Sequence, residues 1–236
     1  MTALFVDCPT GLAGDMLLAA FLDLGVPRAV IEAPLAGLGL EQGYALTVAE
    51  DRSAGLRGLR LSVEGLELEP PHRLWHDIRA LIMEADWSES LRARVLTVFK
   101  ALAEAEAAVH GHPIEQVHFH EVGMIDALVD VVGVCAAVEH LAPEQIVCAV
   151  PPAGRGKTAT AHGFLPVPVP AVLELARRHQ ICLEVGDDLP ACELTTPTGL
   201  ALMAVLAERF GQPPSLRIKA IGVGLGHRTL DRPNIL

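Results

Sequence analysis

From Leu128 to Val138 the chain is apolar at every position except Asp130. The surrounding segment, "IDALVDVVGVCAAVEHL", has no polar face to turn toward water, so as a helix it must be enclosed by other elements. That requirement excludes an open or elongated fold. The run is too short, and too close to Asp residues, to span a bilayer, and the same holds for Ala13 to Leu24. With 236 residues, 51% hydrophobic and 20% charged, the chain has the length and composition for a sizeable core, as one large domain or two small ones.

Strand-like runs alternate with helical patterns on both sides of this segment. "ALFVD" reads as a short buried strand, "CPTGLAG" as a tight turn and "DMLLAAFLDLG" as a helix closed by Gly25 and Pro27. Val26 to Leu38 continues as a second helix. "YALTVAEDRSAGLRGLRLSVEG" alternates as a hairpin turning around Ser53 to Gly58. After the linker "LELEPPH", Leu74 to Ala85 and Leu91 to His110 are amphipathic helices, the second with Ser88 as its cap. "VHFH" predicts a short strand ahead of the apolar helix, "QIVCAV" a buried strand, and "PVPAVLELARRH" a helix with Pro at its start. "ICLEV" is a further strand candidate, "TTPTGLALMAVLAERFG" a loop into a buried helix, and "SLRIKAIGVGLG" a final strand with a Gly-rich end. The expectation is an α/β fold: a mixed, largely parallel sheet with flanking helices, plus a small hairpin and helical insertion over residues 43–112.

Formal net charge is -11, with no basic cluster and a single Tyr, which disfavours nucleic acid as a partner. No basic stretch opens "MTALFVDCP" as a targeting signal would, so a cytoplasmic location without membrane attachment is expected. Five Cys, at positions 8, 135, 148, 182 and 192, form no CxxC pair, so neither a disulfide framework nor a zinc ribbon is indicated. Cys8 stands out because it lies in a Gly-rich turn.

Side chains with ligand chemistry gather around "VHFHEVGMIDALVD". In a strand, His118 and His120 share one face while Val117 and Phe119 point to the core. Glu121 follows, and Asp126 and Asp130, four apart, lie on one helical face. Imidazole with carboxylate suits borderline divalent ions such as nickel, zinc, manganese or cobalt. The alternative is ordinary structure: Asp126 as a helix cap, Asp130 paired with an Arg, and solvated His residues. Asp130 favours the cation, because a carboxylate followed by "VVGVCAAV" on a buried helix is costly without a counter-charge or good donors. "HRLWHDI" adds His72 and His76, also four apart, while His110 and His112 read as a helix end favoured by the dipole.

Two turns ahead of helices offer backbone N–H groups to an anion. "DCPTGLAGD" carries Asp7, Thr10, Gly11, Gly14 and Asp15, and "ELTTPTG" carries Thr195, Thr196, Thr198 and Gly199, with a plain helix cap as the alternative for the second. "GRGKT" is not a Walker A loop, because Pro151 stands where its first Gly is required. No nucleophile elbow marks an acyl-transfer enzyme.

Taken in order, "DCPTGLAGDMLLAAFLDLG", "HRLWHDI", "VHFHEVGMIDALVDVVG", "AHGFLPVPVPAVLEL", "ELTTPTGLALMAVLA" and "GVGLGHRTLDRPNIL" resemble the LarC family of nickel insertion proteins over nearly the whole chain. The resemblance implies a cytoplasmic nickel chelatase, a lyase of cofactor biosynthesis. Such proteins insert Ni(2+) into pyridinium-3,5-bisthiocarboxylic acid mononucleotide, giving the nickel-pincer nucleotide of lactate racemase, with CTP hydrolysis and Mn(2+) or Mg(2+). Family chains usually continue past "PNIL" into a C-terminal region associated with CTP. Residues 1–236 then read as a single N-terminal α/β domain, with that region as a partner and self-association left open.

On that reading nickel falls to His118, His120, Glu121, Asp126 and Asp130, with His72 and His76 as further ligands. Glu121 and Asp126 are the candidate catalytic bases. The mononucleotide phosphate is expected at Asp7, Thr10, Gly11, Gly14 and Asp15 or at Thr195, Thr196, Thr198 and Gly199, with His162 of "AHG" nearby. Rival readings are a metal-dependent nucleotide hydrolase and a non-enzymatic nickel-binding assembly module.

Overall fold

The apolar segment becomes a helix with neighbours on every side. In the computed structural model, which describes residues 2–40, 43–66, 74–119, 125–160 and 162–236, it spans Ile125–Leu141. Ahead of it in the chain come strand β1 (Ala3–Val6), helices α1 (Gly14–Asp23) and α2 (Arg28–Ala36), strands β2 (Tyr44–Ser53) and β3 (Leu56–Gly65), and helices α3 (Trp75–Glu84) and α4 (Glu89–His110), which makes the segment α5. After it come β4 (Gln145–Cys148), β5 (Lys157–Thr160), β6 (Gly163–Pro166), α6 (Pro170–His179), α7 (Pro197–Leu206) and β7 (Arg209–Phe210).

Helix α5 packs against α1, α2, α4, α7 and β3. Twelve of its residues are buried, from Ile125 to Val138, with Leu128, Val129, Val131, Val132, Val134, Cys135 and Ala137 fully so. Gly133 sets the closest approach: a Cβ there would stand 2.8 Å from both Leu18 Cδ2 of α1 and Ile31 Cγ2 of α2. A larger residue would drive the three helices apart.

The expected α/β class is present, with a parallel sheet of three short strands in the order β1, β4, β7. Strands β2 and β3 form the expected antiparallel hairpin, paired over their full ten residues. Its two-residue turn, Ala54 and Gly55, has positive φ at both positions (47° and 87°), the geometry that matches the twist of a tight hairpin. Strands β5 and β6 make a second, shorter hairpin. Helix boundaries follow local chemistry. Ser88 Oγ accepts from Leu91 N at 3.0 Å to start α4, and Gly111, at φ 67°, ends it.

Three expected strands are reduced to bridges. Among the described residues His118 of "VHFH" bridges Leu74, Glu184 of "ICLEV" bridges Pro152, and "SLRIKAIGVGLG" makes bridges to Leu59, through Gly224, and to Ile235, through Leu225. The last has a clear cause. A Cβ on Gly222 would lie 2.1 Å from Ala20 O, and one on Gly224 would lie 1.9 Å from Met16 O. The glycines let this segment run backbone to backbone along α1, so it closes against a helix instead of extending a sheet.

Candidate metal centre

Gly14, the first residue of α1, is bare because Asp130 of α5 fills the space beside it: a Cβ would stand 2.4 Å from Asp130 Oδ2. This places a carboxylate at the positive end of α1, beside the Asp15 backbone N–H, its favourable neighbour. Among the described residues Asp130 Oδ1 is buried without a hydrogen-bond partner. Burial raises the Asp130 carboxyl well above its ordinary range, and the charges of Asp15 and Asp126 raise it further. The Arg pairing that an ordinary structural role would need is not found for Asp130 among the described residues.

Asp15 and Asp126 complete the group. Asp15 is raised chiefly by burial and then by Asp126, against lowering by His227 and by the N–H groups of Met16 and Asp15. Asp126 is raised by burial, offset by its bond from Ala127 N at 2.8 Å. It lies exposed at the first turn of α5, while Asp130 sits one turn deeper. His227 Nε2 stands 2.9 Å from the Leu61 carbonyl and 3.4 Å from Asp15 Oδ2. Since a carbonyl can only accept, that nitrogen carries a proton and donates it to Leu61 O, with Asp15 Oδ2 beside it. Three carboxylates therefore share one region with one imidazole facing them. They sense each other's charge without having closed on a point: among the described residues no three His, Cys, Asp or Glu side chains are gathered tightly enough to hold a metal ion as they stand.

His118 follows the expected phasing, exposed between buried Val117 and Phe119. It opens onto a cavity of about 360 Å³ that it lines with Glu106, His110, His112, Gln116 and His162. His162, expected near a phosphate, comes from the β5–β6 turn to lie with its ring 4.9 Å from that of His110. His110 is held below the ordinary imidazole range by burial and then by His162 and His112. His120, Glu121 and His72 lie outside the described residues. His76 is exposed on the first turn of α3, 3.0 Å from its neighbour Asp77.

The two anion-loop candidates are stitched to each other. Leu12 N donates to Leu194 O at 2.9 Å, and Thr196 N donates to Leu12 O at 3.0 Å. A Cβ on Gly199 would lie 2.2 Å from Leu12 O, so only glycine permits the contact. Hydroxyls expected at a phosphate are engaged in holding these loops. Thr10 Oγ1 lies 2.8 Å from Pro233 O and accepts from Ile235 N at 2.9 Å. Thr195 Oγ1 donates to Pro152 O at 2.7 Å, and Thr196 Oγ1 caps α7 by accepting from Gly199 N at 3.1 Å. Asp7 is exposed after β1, Thr198 is half-buried, and Gly11 faces Met16 and Asn234. Cys8, buried beside Cys148, belongs to the core: the hydrogen bond with Cys8, and then burial, push the Cys148 thiol far above its usual range.

Two features escaped sequence reasoning. His227 lies 212 positions from its partner Asp15, which no local spacing could suggest; the "GLGHR" motif was its only trace. His110 and Glu106 read as the tail of an amphipathic helix, and only the fold brings His162 to them.

The nickel insertion protein family matches residues 4–236. A protein of Synechococcus sp. (strain JA-3-3Ab) is 45% identical over 100% of this chain and 59% of its own length. One from Cyanothece sp. (strain PCC 7425 / ATCC 29141) is 44% identical over 98% of this chain and 57% of its own. One from Geobacter sp. (strain M21) is 42% identical over 100% of this chain and 60% of its own. Each bears the name "Putative nickel insertion protein". The chain thus spans about 60% of the length of the curated relatives it matches. No solved structure matches it. Among the described residues no helix is long and apolar enough to cross a membrane. With the match running from the first strand to the last residue, the chain belongs to the nickel insertion protein family.

Proposed function

We propose that this chain holds nickel at the Asp15, Asp126 and Asp130 group and delivers it into an organic sulfur ligand, as a nickel chelatase of cofactor biosynthesis. Asp130 carries the reading. A buried carboxylate oxygen without a partner, inside the field of two further carboxylates, is destabilised until a cation arrives. Glu121 and His120, just ahead of α5 in sequence, are the proposed remaining ligands. Imidazole and carboxylate bind nickel exchangeably, unlike a closed thiolate cage, which suits a site that must release its ion.

The ligand is proposed to be pyridinium-3,5-bisthiocarboxylic acid mononucleotide. Its two thiocarboxylates would displace protein ligands one at a time as Ni–S bonds form. Forming the Ni–C bond expels the ring proton. Asp126, on the first turn of α5 and with its carboxyl raised, would take it, with Glu121 as the other candidate base. CTP hydrolysis and its Mn(2+) or Mg(2+) are assigned to the remainder of the relatives' length. Replacing Asp130 by Asn tests the proposal: nickel transfer to the mononucleotide, followed by absorbance, should be lost while the fold is kept. Unchanged transfer would overturn it.

A second reading has one observation in its favour. Carboxylates outnumber imidazoles in the described group, and hard ions such as Mg(2+) or Mn(2+) favour that donor set. Release of pyrophosphate from a nucleoside triphosphate by this chain alone would select a metal-dependent nucleotide hydrolase.

A further inference from the structure

The segment "SLRIKAIGVGLG" is paired over its last part and unpaired over its first. Toward β3, Leu59 N donates to Val223 O at 2.9 Å and Leu225 N donates to Leu59 O at 2.8 Å. On the opposite side Gly224 and Leu236 exchange two hydrogen bonds of 2.9 Å, and Gly226 N donates to Asn234 O at 3.1 Å, an antiparallel ladder. Residues 216 to 223 run without turn or bend, yet among the described residues no hydrogen bond reaches the backbone of 215 to 222. Leu216, Ile218 and Ile221 are 42%, 72% and 70% exposed. In an extended chain alternate residues share a face, so Leu216, Ile218 and Ala220 continue the face on which Gly222 and Gly224 meet α1. That helix ends at Asp23, whose Oδ2 accepts from Val223 N at 2.8 Å, and the apolar face runs on past it.

We propose that residues 216–221 are a docking edge for one strand, the stretch that follows the counterpart of Leu236 in the longer relatives. This chain covers 59% of the length of the Synechococcus protein, so a large part of that protein lies outside the match. The ladder at Leu236 sets direction and register, because each step back from Gly224 is a step on from Leu236. The second residue after Leu236 falls opposite Gly222, the fourth opposite Ala220 and the sixth opposite Ile218. Gly222, Ala220 and Ile218 present their amides and carbonyls on the same edge as Gly224, and the added strand supplies the bonds they lack. Cross-strand partners share a face, so apolar side chains at those positions cover Leu216 and Ile218 beyond the end of α1. Main-chain bonds give such an added strand its affinity, and the alternate side chains give it specificity. A second copy of this chain fits worse. Antiparallel pairing centred on Ile218 would set Arg217 of each copy opposite Lys219 of the other, like charges face to face.

The test appends to Leu236 a strand's length of about ten residues, those that follow its counterpart in the Synechococcus protein. Amide hydrogen exchange is then followed by NMR in the metal-free protein, with and without the added residues. Protection should rise about 100-fold at Leu216, Ile218, Ala220 and Gly222, and stay low at Arg217, Lys219 and Ile221, whose N–H groups point to the other edge. Ile218→Pro in the lengthened chain removes one donor and should abolish the gain. Ile218 is exposed, so α5 in that variant should keep its wild-type protection. No gain, or an equal gain at odd and even positions, overturns the proposal. Protection that appears without the added residues and grows with protein concentration also overturns it, in favour of a second copy. Nickel takes no part in the measurement, so failure here and failure of the carboxylate reading are separate results.

Discussion

Gly14 and Asp130 share one volume: the carboxylate of α5 occupies the position a side chain on the first residue of α1 would need. Alanine at a helix start is ordinarily neutral or favourable relative to glycine. Here Gly14→Ala should destabilise by about 1–3 kcal/mol, because the added methyl must displace a packed carboxylate. Urea denaturation checks this. The penalty should vanish only in an Asp130→Gly background, since in Asp130→Ala the remaining Cβ would still stand 2.6 Å from the added methyl.

Asp130→Asn should make the metal-free protein more stable near neutral pH while removing metal binding. Burial raises the native carboxyl above the ordinary 3.8, so between that value and its raised value the folded state binds more protons than the unfolded one. Stability from this group is therefore full below about 3.8 and lost as pH rises through the raised value. Asp15 and Asp126 are raised as well and act in the same direction. Unfolding midpoints across that window should fall with pH more steeply in wild type than in Asp130→Asn. A wild-type curve no steeper than the variant's would contradict the burial argument.

Glu174 has the opposite sign. Arg177 and Arg178, at 2.7 and 2.6 Å, hold its carboxyl down at about 2. Its stabilisation is present above the ordinary 4.5 and lost as pH falls toward 2. Glu174→Gln should lower stability at neutral pH and flatten the acid limb, so that the two curves converge as pH falls from 4.5 toward 2, measured by thermal unfolding.

Thr10→Val should loosen the "PNIL" segment without disturbing the core. It removes a hydroxyl that bonds Pro233 O and Ile235 N, a loss of about 1–2 kcal/mol. Hydrogen exchange at Ile235 and Leu236 should rise well above that of β1. Equal protection in wild type and variant would show that Asn234, buried and bonded to Ser53 and Arg228, suffices alone.

Helices and the long hairpin were legible because their signals are local. Ser88, Gly111, Pro170 and Thr196 mark ends by their own chemistry, and the Ala54–Gly55 turn sits within the predicted corner. The short strands were harder, since "ICLEV" and "SLRIKAIGVGLG" have the composition of strands but meet no partner edge. Gly222 and Gly224 serve contact with α1, a purpose that the sequence pattern does not announce. At the site, Asp130 could be singled out because its apolar surroundings are written beside it. The partnerships of Asp15 with His227 and of His110 with His162 depend on chain crossings that periodicity does not carry.

Helix α5 is wedged at Gly133 between Leu18 and Ile31 and buried along nearly its whole length. A slide or a turn would drive it into α1 or α2. On the proposed reading its two carboxylates are in consequence a gauge set by packing, and an incoming ion would have to fit their separation by shedding water. Discrimination among ions would then rest on the cost of stripping their hydration shells against a closely packed anionic wall.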